Sequence, residues 1–128
     1  MIVRSVDEIA ETERDVVGDG WRSRRLLLRR DGMGYSLSDT LVEPGVELRL
    51  EYRHHLEACY CVEGAVEIED LATGARRNVG PGAVYALDQH DKHVIRSPRG
   101  ARLVCIFNPP LSGDERHQAD GGYAPPVD

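Results

Sequence analysis

Long apolar runs are missing from this sequence of 128 residues. No window approaches the apolar length of a membrane-spanning helix, and the N-terminus carries early acidic residues where a secretory signal would have an apolar core. A basic excess is missing as well, since the formal net charge is −6, and a surface that binds phosphates is normally positive. The sequence therefore predicts neither a membrane nor a nucleic acid as a partner.

Cysteine is scarce and odd in number, with three residues at Cys59, Cys61 and Cys105. In a chain without an export signal, an odd count predicts reduced thiols and a cytoplasmic location. The Cys59-x-Cys61 spacing also raises a metal site as an alternative, although no second Cys or His pair accompanies it. Buried core thiols are the favoured interpretation, because free cysteine behaves as a small apolar residue.

The sequence does contain enough apolar material for one core. Hydrophobic residues make up 41% of the chain, which is ordinary for a globular protein, and a chain of this size buries roughly two thirds of its surface on folding. We expect one domain over residues 1–128. Its tail, about 109–128, is polar and rich in glycine and proline, which predicts a flexible end or a flap over a site.

Two kinds of periodicity predict the secondary structure. Ser5 stands at an N-cap position with Glu8 at capping-box spacing, which predicts one helix over residues 5–17. From Trp21 onward, short runs with period-two alternation are separated by turn residues, as in an all-β sandwich or barrel. The predicted strands are 23–29, 34–42, 46–52, 57–62, 65–70, 76–79, 83–87, 93–96 and 101–107.

Two stretches have the glycine spacing of the cupin motifs. They read Gly45-x5-Glu51-x-Arg53-x3-Glu57-x6-Gly64 and Gly74-x5-Gly80-Pro81-Gly82-x2-Tyr85-x3-Gln89. Both early histidines of an ordinary cupin are absent, and Tyr85 replaces the later one, so that Glu57 is the only metal-ligand identity kept. The spacing resembles a cupin-type β-barrel, or jelly roll, whereas the residue identities of a generic cupin would leave its metal site defective.

Two longer runs are more specific, namely HHLEACYCVEG at 54–64 and LDQHDKH at 87–93. Together with MIVR at 1–4 and matching positions as far as Pro125, they make the chain resemble the ectoine synthase family from end to end. The resemblance implies a hydro-lyase that cyclises N-γ-acetyl-L-2,4-diaminobutyrate, with loss of water, to ectoine, a compatible solute for osmotic stress. It also implies a homodimer.

The same resemblance implies a set of site residues. The family's iron ligands fall on Glu57, Tyr85 and His93, a donor set that suits Fe(II) and leaves coordination positions open. Zinc or another divalent metal also fits these donors. The catalytic candidates are Tyr52, Glu115 and His117, and the substrate-binding candidates are Trp21, Arg25, Thr40, Tyr52, Cys105 and Phe107.

Strand alternation gives a partial check on these placements. Glu57 and Cys59 share one face of a regular strand. The adjacent His54 and His55 face opposite ways, so they cannot both bind one metal, and structural roles are favoured for them. Tyr52 and Glu57 have opposite parity, and we therefore expect a β-bulge between them.

Other interpretations stay open at this point. Trp21 and Phe107 are the only residues of their types and could simply supply bulk to the core, while Arg25 could form a surface ion pair. For the whole chain, the alternatives are a non-catalytic cupin that binds a small acid and an iron-dependent oxygenase on the same fold. An oxygenase would usually need a 2-His-1-carboxylate triad, which Tyr85 interrupts.

Overall fold

The computed structural model describes residues 1–126 and consists mainly of β-strands. The last two residues of the predicted tail, 127 and 128, lie outside this range. The elements in chain order are α1 (Val6–Ile9), β1 (Asp15–Val17), β2 (Trp21–Leu27), a 3-10 turn (Arg29–Asp31), β3 (Ser36–Val42), β4 (Val46–Leu50), β5 (Leu56–Gly64), β6 (Val66–Asp70), β7 (Arg76–Val79), β8 (Val84–Leu87), β9 (His93–Ser97) and β10 (Ala101–Asn108). No helix within residues 1–126 is long and apolar enough to cross a membrane.

The strands form two antiparallel sheets that pack face to face. One has six strands in the order β1-β2-β3-β10-β5-β8, and the other has four in the order β4-β9-β6-β7. Over the described residues, the sheets do not join into one closed hydrogen-bonded cylinder. The prediction of an all-β fold with one short N-terminal helix is confirmed, and most predicted strands lie within two residues of the observed ones.

Alternation along the strands builds the core between the sheets. In β10, Cys105 and Phe107 are 5% and 3% exposed, whereas the intervening Ile106 is 38% exposed and faces outward. Strands of the second sheet complete the core from the other side with Leu50 and Ile95. Burying these apolar side chains is the main stabilising term of such a sandwich.

The predicted helix over 5–17 is wrong beyond its first turn. Ser5 caps it as expected, since its Oγ accepts a hydrogen bond from the Glu8 N–H at 3.2 Å. The helix ends because Glu11 takes a left-handed φ of 63° and the Thr12 hydroxyl donates to the Ile9 carbonyl at 2.6 Å. The β-branched residues that follow form strand β1 instead, which suits their stiff side chains.

Residues 109–123, the C-terminal segment, lie across the end of the two sheets. The Leu111 N–H donates to Ser36 Oγ in the six-stranded sheet at 3.0 Å. On the opposite side, the Glu51 N–H after β4 donates to the Gly121 carbonyl at 3.1 Å. Gly121 has a φ of +81°, and a Cβ there would lie 2.4 Å from the Arg49 carbonyl oxygen, so the close approach requires glycine. Whether the segment moves stays a prediction.

Candidate functional site

A cavity lies between the sheets, beneath the C-terminal segment. Side chains from both sheets and from the segment line it, which fits the usual place of a ligand site in such a fold. Among the lining residues are these predicted positions: Trp21, Thr40, Tyr52, Glu57, Tyr85, Cys105, Phe107 and His117. Arg25, His93 and Glu115 lie outside the lining.

A turn, and not a β-bulge, brings Tyr52 and Glu57 to the same cavity. Strand β4 ends at Leu50 and β5 begins at Leu56, and these strands belong to different sheets. The expected bulge is therefore wrong, because strand parity does not connect two residues across a turn. His90 lies beside this turn, and its Nδ1 is 2.8 Å from the Tyr52 carbonyl oxygen.

His54 and His55 lie between β4 and β5 and not on a strand, so the alternation from which their opposite directions were predicted does not apply to them. His54 is exposed, whereas His55 is 1% exposed and packs edge to face on Phe107, with ring centroids 5.7 Å apart. Neither ring nitrogen of His55 has a hydrogen-bond partner among residues 1–126. Burial lowers the pKa of His55, so the ring is neutral near pH 7. It packs against Phe107, which lines the cavity.

Tyr52 and His117 form a hydrogen-bonded pair inside the cavity, with the hydroxyl oxygen 2.7 Å from Nε2. Burial, together with the charge of Arg25, lowers the pKa of His117 to about 4. Burial also raises the pKa of Tyr52 well above its ordinary value. Near neutral pH the imidazole and the tyrosine hydroxyl are therefore both uncharged, and one proton is shared in the hydrogen bond between them.

The His117 ring is held by two aromatic side chains. It stacks on Tyr123 with a centroid distance of 4.9 Å and an interplanar angle of 8°. Trp21 contacts it edge-on at 5.1 Å. These contacts fix the direction of Nε2, because a stacked ring that is also packed at its edge has little rotational freedom.

Glu57 and two cysteines form a second cluster in the same cavity. Burial raises the pKa of Glu57 to about 8, although hydrogen bonds from Cys59 and Cys105 act in the opposite direction. Cys59 lies opposite Cys105 on one neighbouring strand and opposite Tyr85 on the other. Within residues 1–126, Glu57, Cys59 and Cys105 are the group of His, Cys, Asp and Glu ligands close enough to hold one ion.

His93 stands on the opposite sheet and has the orientation of a metal ligand. Its Nδ1 is 2.8 Å from the Asp91 carbonyl, an acceptor only, so Nδ1 carries the proton. The Nε2 lone pair is buried and has no partner among the described residues. Such a second hydrogen bond usually fixes the tautomer of a metal-bound histidine, so His93 fits a cation. The oxygen donors of the predicted set are the buried Glu57 and the half-buried Tyr85, both on the facing sheet.

Arg25 and Glu115 bind the C-terminal segment. Arg25 is 0% exposed, so the surface ion-pair interpretation is wrong. Its guanidinium donates to the Gly113 carbonyl at 2.8 Å and to the Glu115 carbonyl at 2.7 Å. The Glu115 carboxylate accepts from the Ser112 and Gly113 N–H groups at 2.7 and 2.8 Å. Burial opposes ionisation of Glu115, but these bonds lower its pKa overall.

Tyr123 is a cavity residue that was not among the predicted site residues, and Cys59 was placed on the face of Glu57 without a role in binding. Tyr123 packs on Tyr52 at 5.0 Å and lies 5.9 Å beneath the Arg25 guanidinium. No periodicity marks its position, because it follows a loop. Cys59 had a signal in its shared parity with Glu57, but the favoured interpretation treated it as an ordinary core thiol.

Comparisons with known proteins show which family the chain is similar to. A family model described as Ectoine synthase matches residues 1–127. The L-ectoine synthase of Desulfatibacillum aliphaticivorans is 52% identical over 125 residues, covering 96% of each chain. That of Bordetella petrii is 46% identical over 129 residues, covering 100% of this chain and 97% of the relative.

Solved structures show the same relationship. The crystal structure of ectoine synthase from P. lautus superposes with a TM-score of 0.85 at 50% identity, covering 88% of this chain and 81% of that chain. An RmlC-like cupin from Shewanella frigidimarina, 20% identical, superposes with a TM-score of 0.62 over 74% of this chain and 81% of its own. The second likeness concerns the fold alone, and it confirms the cupin-type architecture.

Proposed function

The chain belongs to the ectoine synthase family, and from that membership we propose that its cavity cyclises N-γ-acetyl-L-2,4-diaminobutyrate to ectoine. The chain has the function of this family and is an enzyme of the hydro-lyase type. The α-amine attacks the acetamide carbonyl carbon, a six-membered ring forms, and the carbonyl oxygen leaves as water.

The hydrogen bond between Tyr52 and His117 is the observation that carries the proposal. Ring closure moves two protons from the α-ammonium group to the departing oxygen. The neutral His117 accepts a proton through the Tyr52 hydroxyl and returns it readily, since its pKa is lowered to about 4. A positioned acid–base group of this kind contributes about 10²- to 10⁴-fold.

Glu115 has a different role in this proposal. Its carboxylate is already held by the backbone of residues 112 and 113, so it shapes the segment that carries His117. Trp21, Thr40 and Phe107 form the wall that folds the substrate, which brings amine and carbonyl together and excludes water. Arg25 does not line the cavity, and in this proposal it acts by holding the C-terminal segment over it.

We assign Glu57, Tyr85 and His93 as the residues that would hold Fe(II). Their support is the buried Nε2 of His93, which has no partner among the described residues, and the two oxygen donors on the facing sheet, the buried Glu57 and the half-buried Tyr85. When bound, such an ion supplies Lewis-acid polarisation of a carbonyl. Another divalent metal is compatible with the same donors.

A homodimer in the cytoplasm completes the proposal. The outer face of the six-stranded sheet exposes apolar side chains on adjacent strands, with Leu56, Tyr60 and Val84 at 40%, 46% and 60% exposure. They continue to β8, a strand at the edge of that sheet, and a contiguous apolar patch usually marks a protein interface. The three free cysteines of the described chain suit a reducing compartment.

Incubation of the protein with Fe(II) and the acetylated diamino acid, without oxygen, tests the activity. We expect a cyclic product one water lighter than the substrate, and we expect chelation to abolish it and Fe(II) to restore it. Tyr52→Phe should fold normally and lose about 100-fold or more in rate. Binding without turnover would favour the small-acid carrier, and an oxygen requirement would favour an oxygenase.

A further inference from the structure

Glu57, Cys59 and Cys105 bring three metal-binding atoms together on one wall of the cavity. A Glu57 carboxylate oxygen and the two Sγ atoms all lie within 4.8 Å of one another. The three residues are 8%, 1% and 5% exposed. Strand pairing fixes the arrangement, because Cys59 lies opposite Cys105 in the β5–β10 ladder and Glu57 precedes it on the same face.

The sulfur atoms are spaced for a single ion. Their separation is 3.4 Å, and two thiolates bound to one tetrahedral zinc ion at about 2.3 Å each are about 3.8 Å apart. A small movement of the two side chains is therefore enough to accept a cation. Thiolate ligands favour zinc and softer ions, whereas oxygen-rich donor sets favour harder ones.

A fourth polar atom belongs to the same site. Ser38 is 2% exposed, pairs with Cys105 in the β3–β10 ladder and lines the same cavity. Its Oγ has no hydrogen-bond partner among residues 1–126, although buried hydroxyl groups are normally satisfied. A water molecule on a bound cation would complete a tetrahedron and give this hydroxyl a partner.

We propose that Glu57, Cys59 and Cys105 form a site for a thiophilic divalent cation, either Zn²⁺ or Cd²⁺. Binding releases the two thiol protons and the Glu57 carboxyl proton to solvent and leaves a complex of one dication, two thiolates and one carboxylate. This donor set differs from Glu57, Tyr85 and His93 but shares Glu57. If the proposed iron site is correct, a thiophilic cation therefore competes with iron.

Cadmium titration of the full-length, metal-free protein tests the site without substrate or turnover. We expect one equivalent of Cd²⁺ to bind with the near-ultraviolet charge-transfer absorption of a cadmium thiolate. Cys59→Ser and Cys105→Ser should each lose at least half of the absorption and weaken binding about tenfold or more. Tyr85→Phe should keep the absorption, because Tyr85 lies opposite Cys59 but outside this donor set.

Cys61→Ser is the matched control. Cys61 is 0% exposed and shares the face of Cys59, but its Sγ lies 3.4 Å from the Glu63 carbonyl and outside the cluster. It should keep the full absorption. Absence of the absorption in the unmodified protein, its survival in both serine variants, or equal loss in Cys61→Ser overturns the site.

X-ray absorption of the cadmium-loaded, unmodified protein keeps the test decisive if the serine variants do not fold. Two sulfur neighbours per cadmium are expected, and none or one overturns the site. The competition is tested separately by iron uptake. Full iron occupancy in cadmium-loaded protein overturns the competition and leaves the thiolate site standing, so the two outcomes are distinguishable.

Discussion

Burial determines the charge state of single residues in this cavity. The Tyr85 pKa is raised well above its ordinary value, chiefly by burial and then by the neighbouring Cys59 and Glu57. Burial also raises the pKa of the Glu57 carboxyl group to about 8. His93 shows the converse, since burial lowers its pKa. Such residues are neutral in the protein alone, and a bound cation would favour their anionic or lone-pair forms.

Removing only the hydroxyl of Tyr85 tests its assignment as an iron donor. Tyr85→Phe keeps the ring packed against the core between the sheets, so the melting temperature should stay near that of the unmodified protein. Iron occupancy should fall about tenfold or more, with little activity, whereas Tyr85→His should retain more iron because imidazole also binds it. Elemental analysis after desalting measures the occupancy.

Tyr60→Phe is the control for that change. Tyr60 lies on the adjacent strand and is 46% exposed, so losing its hydroxyl should alter neither iron nor activity. Stoichiometric iron and normal turnover in Tyr85→Phe would show that the ligand assignment is wrong.

Phe107 belongs to both the core and the cavity wall. Its ring contacts Tyr52 at 5.1 Å, Tyr123 at 5.5 Å and His55 at 5.7 Å. We expect Phe107→Ala to lower the free energy of unfolding by about 3–5 kcal/mol and also to impair catalysis. Urea unfolding measures the first effect and steady-state kinetics the second.

Ile106→Ala is the matched change on the neighbouring, outward position. Ile106 is 38% exposed, so the loss should be about 1 kcal/mol or less. If both variants lost the same free energy of unfolding, Phe107 would not contribute to core packing as its burial predicts.

The sequence alone predicted the direction of side chains on regular strands, where alternation applies. Glu57 and Cys59 fell on one face because β5 keeps a regular register with β10 from Leu56 to Cys61. Tyr52 was misjudged, since parity fails where a turn intervenes, and Tyr123 was missed because a loop has no period to reveal its inward direction. Resemblance supplied the other positions, but the carbonyl partners of Arg25 required the tertiary structure.

At the scale of elements, the strands followed their pattern and the N-terminal helix did not. A capping signal predicts where a helix starts and says little about where it stops. Here Thr12 and Asp15 offered side-chain hydrogen bonds to the backbone of Ile9 and Glu11, and such local bonds compete with helical ones. Strand β1 pairs with β2 at the edge of the sheet. The sequence pattern of residues 5–17 alone does not contain the contacts with β2 that favour this strand over a helix.

The C-terminal segment depends on Arg25 for its attachment to β2. One guanidinium binds the carbonyls of Gly113 and Glu115 at 2.8 and 2.7 Å, and a lysine ammonium does not reproduce that fork. We expect Arg25→Lys to raise hydrogen exchange in residues 109–123 and to reduce turnover, while exchange in the sheets changes little. Mass spectrometry of exchanged peptides measures this.

Arg24→Lys provides the comparison on the same strand. Arg24 pairs with Asp39, away from the segment, so exchange in residues 109–123 should remain unchanged. Equal protection of the segment in both variants would show that Arg25 does not anchor it.

At the scale of the whole molecule, arginine–carboxylate pairs connect distant parts of the chain. The Asp31 side chain is 8% exposed and pairs with Arg4 at 3.2 Å and Arg14 at 2.9 Å. It also accepts the Leu28 N–H at 2.8 Å. One carboxylate thus joins the N-terminal residues to the connection between β2 and β3, and the stability of that corner depends on its ionisation.

The pH dependence of stability tests this pair. The hydrogen bond from Arg14 lowers the Asp31 pKa below its ordinary value of 3.8 and outweighs burial, which acts to raise it. A depressed carboxyl pKa contributes stability that is complete above the ordinary value and is lost as the pH falls toward the folded-state value. Asp31→Asn should therefore cost about 3 kcal/mol at pH 7 and progressively less below about pH 4. Urea unfolding at pH 7 and at pH 3 measures the difference.

Glu13→Gln is the control. The Glu13 and Arg30 side chains are 72% and 52% exposed, so their pair should contribute at most about 0.5 kcal/mol to the free energy of unfolding. An Asp31→Asn effect of the same size at pH 3 and pH 7 would mean that packing, and not the charge of Asp31, stabilises this corner.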